Sequence, residues 1–193
     1  MDVYRIALFV HLLALIVAAG ASAVMKLAAE RRARSRTVAE MMEWHQTMGA
    51  TARLFPICLA VFVLSGAFML SRSTPGAWAS AFVSAGLLGV VLLLASSAYL
   101  GISAKGLGRM LSSLAERDPG AAAPRLAPPP LLAALPAVNT GIALAVAFDM
   151  VIKPASLVTA LAIVGGGILI GAVGALAGRA KAASASVLTT PAG

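Results

Sequence analysis

Long uninterrupted stretches of apolar residues are the feature that most constrains the fold of this chain. A helix needs about 20 such residues to cross the hydrocarbon core of a bilayer. We predict membrane-crossing segments at residues 3–29, 52–70, 78–102, 132–152 and 155–177. Only 11% of the residues are charged, against about 25% in a soluble domain. The sequence therefore predicts one all-α, polytopic membrane helix bundle over residues 1–182, followed by a disordered tail over residues 183–193.

Basic residues alternate between the two sides of the predicted segments. The first and third connections and the C-terminal tail carry twelve of the 15 lysines and arginines, and the opposite side carries only Arg5, Arg72 and Lys153. Connections rich in Lys and Arg stay in the cytoplasm. The pattern therefore predicts an outer N-terminus and a cytoplasmic C-terminus. The net charge of +8 then indicates topology and contact with anionic lipid, and we expect no nucleic-acid partner.

The first predicted segment has two different faces when it is wound as an α-helix. One face is small or polar and consists of Ala7, His11, Ala14, Ala18, Ser22, Met25 and Ala29. The other is bulky and apolar and consists of Ile6, Phe9, Leu13, Ile16, Val17, Val24 and Leu27. In a membrane, small residues let helices approach closely, whereas large aliphatic residues face lipid. We therefore expect His11 to point at other helices, where an ionisable side chain marks a candidate functional site.

Further polar residues lie on the same outer side in this topology. Asp149 and Lys153 are one helical turn apart at the outer end of the fourth segment, and residues at this spacing share a helix face. His11 lies about 12 Å below the outer end of the first segment by helix rise. We predict that His11, Asp149 and Lys153 converge on a polar pocket that binds a cofactor. The alternative is that Lys153 reaches the lipid headgroups and Asp149 only pairs with it.

A second candidate site lies at the cytoplasmic border. Met41, Met42 and Met48 surround His45 at helical spacing, and thioether and imidazole groups are ligands that Cu(I) favours. The alternative is an amphipathic interfacial helix in which methionines fill irregular gaps. His45 and His11 should lie more than about 15 Å apart by helix rise, so one chain cannot use both as ligands of one haem iron.

Local signals predict where several helices begin and end. Thr37 followed by Glu40 is a capping box, which predicts that a new helix begins after a break at Arg36 and Thr37. Residues 116–130 contain five prolines, a composition that favours an extended, solvated linker. Pro154 should end the fourth membrane helix.

The fifth predicted segment is rich in glycine. Gly167 with Gly171, and Gly174 with Gly178, form two small-xxx-small pairs. Such pairs allow close contact between membrane helices. The segment is therefore a candidate surface for other membrane subunits or for a second copy of this chain.

Several of these features together resemble known membrane proteins. His11, Ala19-Gly20, the basic flank of the first segment and the sequence Met-Val-Ile-Lys-Pro at residues 150–154 resemble a family of small bacterial integral membrane proteins of unknown function. The chain is similar, more distantly, to the copper-resistance D membrane domain and to HemJ-type protoporphyrinogen oxidase. The resemblance covers roughly residues 3–154 and implies a location in the bacterial inner membrane. In the oxidase a first-helix histidine is implicated in haem or porphyrin binding, and His11 matches it.

Three functions follow from these observations, and no catalytic residue is identified. The first is a haem-linked or porphyrin-linked, redox-associated role at His11. The second is a non-enzymatic accessory or assembly subunit of a larger membrane complex. The third is copper handling through His45 and the methionines around it.

Overall fold

The computed structural model describes residues 2–73 and 76–188, with side chains up to residue 180, and no β-strand occurs in these residues. The helices are α1 (Val3–Arg34), α2 (Val38–Ala52), α3 (Leu54–Ser71), α4 (Ala81–Arg117), α5 (Pro130–Ile152) and α6 (Leu157–Leu188), with a 3₁₀ turn at Ala77–Ala79. Five segments are long and apolar enough to cross a membrane, namely α1, α2 together with α3, α4, α5 and α6. This confirms the predicted all-α helix bundle of a multi-pass membrane protein.

The helices group into two compact units. Unit 1 consists of Met1–Ala77 and Ile102–Ala127, and unit 2 of Trp78–Gly101 and Pro128–Gly193. Helix α4 contributes its first part to unit 2 and its second part to unit 1. The single transmembrane domain over residues 1–182 stays a prediction.

In unit 1, helix α1 buries the face that the sequence indicated. Its buried residues are His11, Ala14, Ala21 and Ala28. His11 and Ala14 belong to the predicted small face, whose other members are half-buried, whereas Ala21 and Ala28 lie beside that face. Helix α1 packs on α3 and α2. The predicted bulky face is exposed along its whole length, as in Phe9 at 65% and Ile16 at 66%. Because large aliphatic side chains gain as much from lipid as from a protein interior, close packing of small residues decides which face turns inward.

The break between α1 and α2 has the predicted capping box. Thr37 is the N-cap of α2, and its Oγ1 accepts a hydrogen bond from the Glu40 N–H at 3.3 Å. The Glu40 carboxylate in turn accepts from the Arg36 N–H at 2.9 Å. Two backbone donors that a helix start leaves without partners are thereby satisfied.

The connection after α4 is more ordered than its proline content predicts. The N–H groups of Val38 and Ala39 donate to the carbonyls of Ala121 and Pro119, each at 3.0 Å, and the Ala123 N–H donates to the Arg36 carbonyl at 2.9 Å. The prediction of a solvated linker is therefore wrong for residues 119–123. The first turn of α2 has free N–H groups, and the carbonyls of this connection supply their acceptors.

Unit 2 is built around α5, which packs along α6. Its core consists of Ala85, Ile142, Val146, Ala160 and Val164. Helix α5 ends at Ile152 as Pro154 predicts, and Lys153 closes it in the left-handed conformation, with φ 51°.

Helix α6 continues to Leu188. Residues 183–188 are therefore helical where the sequence predicts a disordered tail, and the two alanines and one leucine among these six residues favour a helix. The rest of that predicted tail, residues 189–193, lies outside the described residues.

Candidate functional site

His11 is held between α1 and α3. Its Nδ1 lies 3.0 Å from the Phe62 carbonyl oxygen and 3.0 Å from the Ser65 Oγ. The imidazole also stacks on the Phe62 ring, with 3.9 Å between ring centroids and 26° between planes. The residue is 8% exposed. The prediction that His11 faces other helices is therefore confirmed.

The sequence of α3 creates this position because Phe62, Ser65 and Gly66 share one helix face at i, i+3 and i+4. The Ser65 hydroxyl donates to the Val61 carbonyl at 2.6 Å, which leaves a lone pair of its oxygen for His11. A methyl group at Gly66 would lie 3.3 Å from His11 Cε1. Glycine therefore lets the imidazole sit directly against the α3 backbone.

These contacts assign the tautomer of His11. A carbonyl oxygen can only accept, so Nδ1 must carry the proton and donate it to Phe62, with the Ser65 Oγ as a second acceptor. Nε2 is then the nitrogen with the free lone pair. Nε2 makes no hydrogen bond with residues 2–73 and 76–180, and it is not completely buried. Nε2 is therefore open to a ligand.

Asp149 has the opposite environment in unit 2. It is 0% exposed, and neither carboxylate oxygen has a hydrogen-bond partner in the described part of the chain. The ion pair with Lys153 that its spacing suggested does not form, since the one ion pair among these residues joins Arg5 and Asp2. The reason is local, because the left-handed conformation of Lys153 ends the helix and takes its side chain off the face of Asp149. The convergence of His11, Asp149 and Lys153 on one pocket stays a prediction.

His45 on α2 packs against the second part of α4, at Gly108. Its Nδ1 lies 3.5 Å from Arg32 Nη1, and its Nε2 faces Gly108, where a methyl group would lie only 2.8 Å away. Helix α2 precedes the apolar stretch α3 and carries two glutamates.

The predicted copper ligands gain no further donors from the fold. Met41 is buried, and Met42, His45 and Met48 are half-buried. No group of three or more His, Cys, Asp or Glu side chains that could hold a metal is found in residues 2–73 and 76–180. The Arg32 guanidinium beside His45 repels a cation at this ring. Copper binding by Met41, Met42, His45 and Met48 stays a prediction.

The two histidines are far apart, as helix rise predicts. Arg32, which contacts His45, lies 21 residues after His11 on the continuous helix α1, a separation of about 30 Å. A haem bound by this chain therefore takes at most one histidine from it.

The partners of His11 and His45 were not identifiable from the sequence. Phe62 and Ser65 lie 51 and 54 residues after His11, and Gly108 is one of 18 glycines. A serine next to a glycine in the apolar stretch of α3 was the one local signal of a polar contact there. Comparisons with known protein families, curated proteins and solved structures give no match.

Proposed function

We propose that this chain is a haem-binding or porphyrin-binding protein of the bacterial inner membrane, with His11 as the axial ligand. One observation supports this most directly. The Nδ1–H of His11 is occupied by the Phe62 carbonyl and the Ser65 hydroxyl, which leaves the Nε2 lone pair for a metal. Metal-ligating histidines have this arrangement, because a hydrogen bond at one nitrogen fixes the tautomer and raises the basicity of the other.

The neighbours of His11 prepare it for such a role. Stacking on Phe62 holds the plane of the ring, and Gly66 leaves it room to lie close to α3. A bound haem would supply one-electron redox chemistry, tuned by its axial ligand and by the polarity around it. Asp149 and Lys153, predicted to share this pocket, are part of the proposal only as candidates.

The absorption spectrum of the purified protein tests this proposal. We expect a Soret band in the wild type and in H45A, and its loss in H11A. H45A is the matched control because it removes the other histidine of the chain. Added imidazole should restore the band in H11A by occupying the vacated space. A wild-type protein without haem or porphyrin, or an H11A spectrum identical to that of the wild type, would show that the proposal is wrong.

The proposal includes the orientation with an outer N-terminus. In a Cys58→Ala background, a cysteine at Ser73 should react with a membrane-impermeant thiol reagent added to intact cells, and a cysteine at Gly120 should react only after permeabilisation. Both positions are exposed. The reverse pattern would contradict the orientation, and reaction of both positions in intact cells would contradict the number of spans.

A second candidate function, an accessory subunit of a membrane complex, has one observation in its favour. Gly167 and Gly171 are used within the chain against α5, whereas nothing lies within 4 Å of the positions where Gly174 and Gly178 would carry a methyl group. This second glycine pair therefore leaves a face of α6 free for another helix. Cysteine cross-linking from the neighbouring position Val173, which is 63% exposed, would capture a partner helix. If G174L and G178L give as much cross-linked product as the protein with both glycines, this function is contradicted.

A further inference from the structure

Asp149 is the one acidic residue in the sequence of unit 2. It is completely buried, and both of its carboxylate oxygens lack a hydrogen-bond partner among the described residues. An isolated carboxylate in an apolar interior is costly, and buried charges in membrane helices pair with each other, with backbone or with an ion. Among the residues that the structure describes, the side chain therefore lacks the partner that a buried carboxylate needs.

Three contacts set the register of α4 against α5 and show what surrounds Asp149. The Ser96 hydroxyl donates to Asn139 Oδ1 at 2.7 Å, Gly89 lies against Val146, and Gly86 lies against Met150. This antiparallel register places Asp149 level with Ala85 and Gly86.

The register of α5 against α6 completes this layer. Gly141 meets Gly167, and Gly171 meets Ala137, so Asp149 lies level with Thr159 and next to the level of Ala160. Ala160 is fully buried. The other titratable residues of unit 2 within residues 78–101 and 128–180 are Tyr99, Lys153 and Arg179, and none is bonded to Asp149. The buried residues of α4 and α6 at this level are Ala85, Gly86 and Ala160, which offer no side-chain donor and no charge, whereas the hydroxyl-bearing Ser84 and Thr159 are exposed.

The end of α5 adds further negative potential. The Asp149 carbonyl accepts from the Lys153 N–H at 2.8 Å, but the Met150 carbonyl has no donor four residues later, because residue 154 is proline. The last carbonyls of a helix carry the negative end of its dipole. The exposed Lys153 side chain makes no ion pair here. Asp149 therefore belongs to the last turn of α5, where the helix dipole is negative, and no ion pair with Lys153 offsets its charge.

We propose that Asp149 and the carbonyl end of α5 bind a small monovalent cation, either a sodium ion or a proton. Oxygen ligands of this kind, at the carbonyl end of an interrupted membrane helix, suit these cations. The Ala85, Gly86 and Ala160 layer keeps water away and leaves Asp149 as the one charged ligand. This proposal does not depend on the haem-binding role proposed for His11, in which Asp149 is only a candidate.

The test is thermal unfolding of the full chain in detergent, with sodium replaced by choline at constant ionic strength and at several pH values. D149N keeps the shape of the side chain but removes its charge, and E116Q is the control because it neutralises an exposed carboxylate on α4. If the ligand is sodium, it should raise the melting temperature of the wild type and E116Q, on the order of 5 °C at about a hundred times the dissociation constant. D149N should not respond.

If the ligand is a proton, sodium has no effect and the melting temperature of the wild type falls as pH rises, because the folded state then loses the proton that neutralises Asp149. This fall should be absent in D149N and present in E116Q. Equal responses of the wild type and D149N to both sodium and pH would overturn the proposal.

An infrared measurement covers the case in which D149N does not fold. Asp2 and Asp118 are the other aspartates, so D2N/D118N protein labelled with ¹³C-aspartate reports on Asp149 alone. Sodium should shift its carboxylate bands, or a proton should give the carbonyl band of a carboxylic acid that disappears at alkaline pH. A carboxylate band that changes with neither cation would overturn the proposal.

Discussion

In unit 1, α1 meets α3 through a polar side chain that reaches the neighbouring backbone, whereas in unit 2, α5 meets α6 through glycine backbones in contact and through apolar side chains. His11 crosses the first interface and finds two acceptors on α3. At the second interface Gly141 and Gly167 bring the main chains into direct contact. Asp149 continues the buried face of α5 formed by Ile142, Ala145 and Val146 and finds no polar atom opposite.

The difference shows that the residues of the partner helix decide whether a buried polar side chain finds a hydrogen-bond partner. A partner helix with serine and glycine at i and i+1 offers acceptors and space, so a buried histidine can form a hydrogen bond between the two helices. A partner helix that offers only glycine and alanine gives the closest packing and no hydrogen bond. The Asp149 carboxylate has no partner there among the described residues, which is why we propose a cation as its ligand.

The largest expected effect comes from breaking the backbone contact of unit 2. A methyl group at Gly167 would lie inside contact distance of the Gly141 carbonyl and 2.7 Å from Ala145 Cβ. G167A should therefore destabilise the protein by about 2–3 kcal/mol, because helix backbones cannot yield as side chains do. The midpoint of denaturant unfolding in detergent measures this.

G174A is the matched control for that substitution. Gly174 has nothing within 4 Å of a methyl group, so alanine should be neutral or stabilising by up to about 1 kcal/mol through its helix propensity. Equal effects of G167A and G174A would show that α5 and α6 do not depend on the glycine contact.

A smaller effect is expected at the start of α2, where unit 1 again uses a polar contact. T37A leaves the Glu40 N–H without the Thr37 Oγ1 that accepts from it and should cost about 1 kcal/mol of unfolding free energy. T51A is the control, since the Thr51 hydroxyl only donates to the Thr47 carbonyl inside the helix. A T37A protein as stable as T51A would mean that residues 119–123 hold the α2 start unaided.

The sequence predicted features that depend on neighbours along the chain. The small face of α1, the capping box at Thr37 and the helix end before Pro154 follow from spacing within a few residues, and each is confirmed. They need only the periodicity of a helix and the donors at its ends. Helix type and approximate span are predictable for the same reason.

Features that depend on distant contacts were not predictable. The acceptors of His11 lie on another helix, and the acceptors of the first turn of α2 come from residues 119 and 121. The ion pair suggested for Asp149 failed because one residue, Lys153, leaves the helical conformation. Spacing alone cannot show where a helix stops being a helix, and that decides which side chains share a face.

The smallest expected effect is the coupling energy between His11 and Ser65, which measures the polar contact between α1 and α3 directly. H11L keeps the volume of the side chain but removes the Nδ1–H donor. The Ser65 hydroxyl still donates to the Val61 carbonyl, and the Phe62 carbonyl can keep its bond within α3, so neither acceptor is stranded. We therefore expect H11L to cost only about 1 kcal/mol.

A double-mutant cycle of H11L with S65A separates the energy of the hydrogen bond between His11 and Ser65 from the packing effect of each substitution. If the Nδ1–H bond to Ser65 stabilises unit 1, the two substitutions should be less than additive by about 0.6 kcal/mol, a typical value for hydrogen bonds between membrane helices. D149L paired with S65A serves as the reference cycle, because Asp149 has no hydrogen-bond partner to lose, and its coupling should be zero. Full additivity of H11L and S65A would mean that the hydrogen bond to Ser65 does not stabilise the protein. His11 would then be held only by the stacked Phe62 ring and the Phe62 carbonyl.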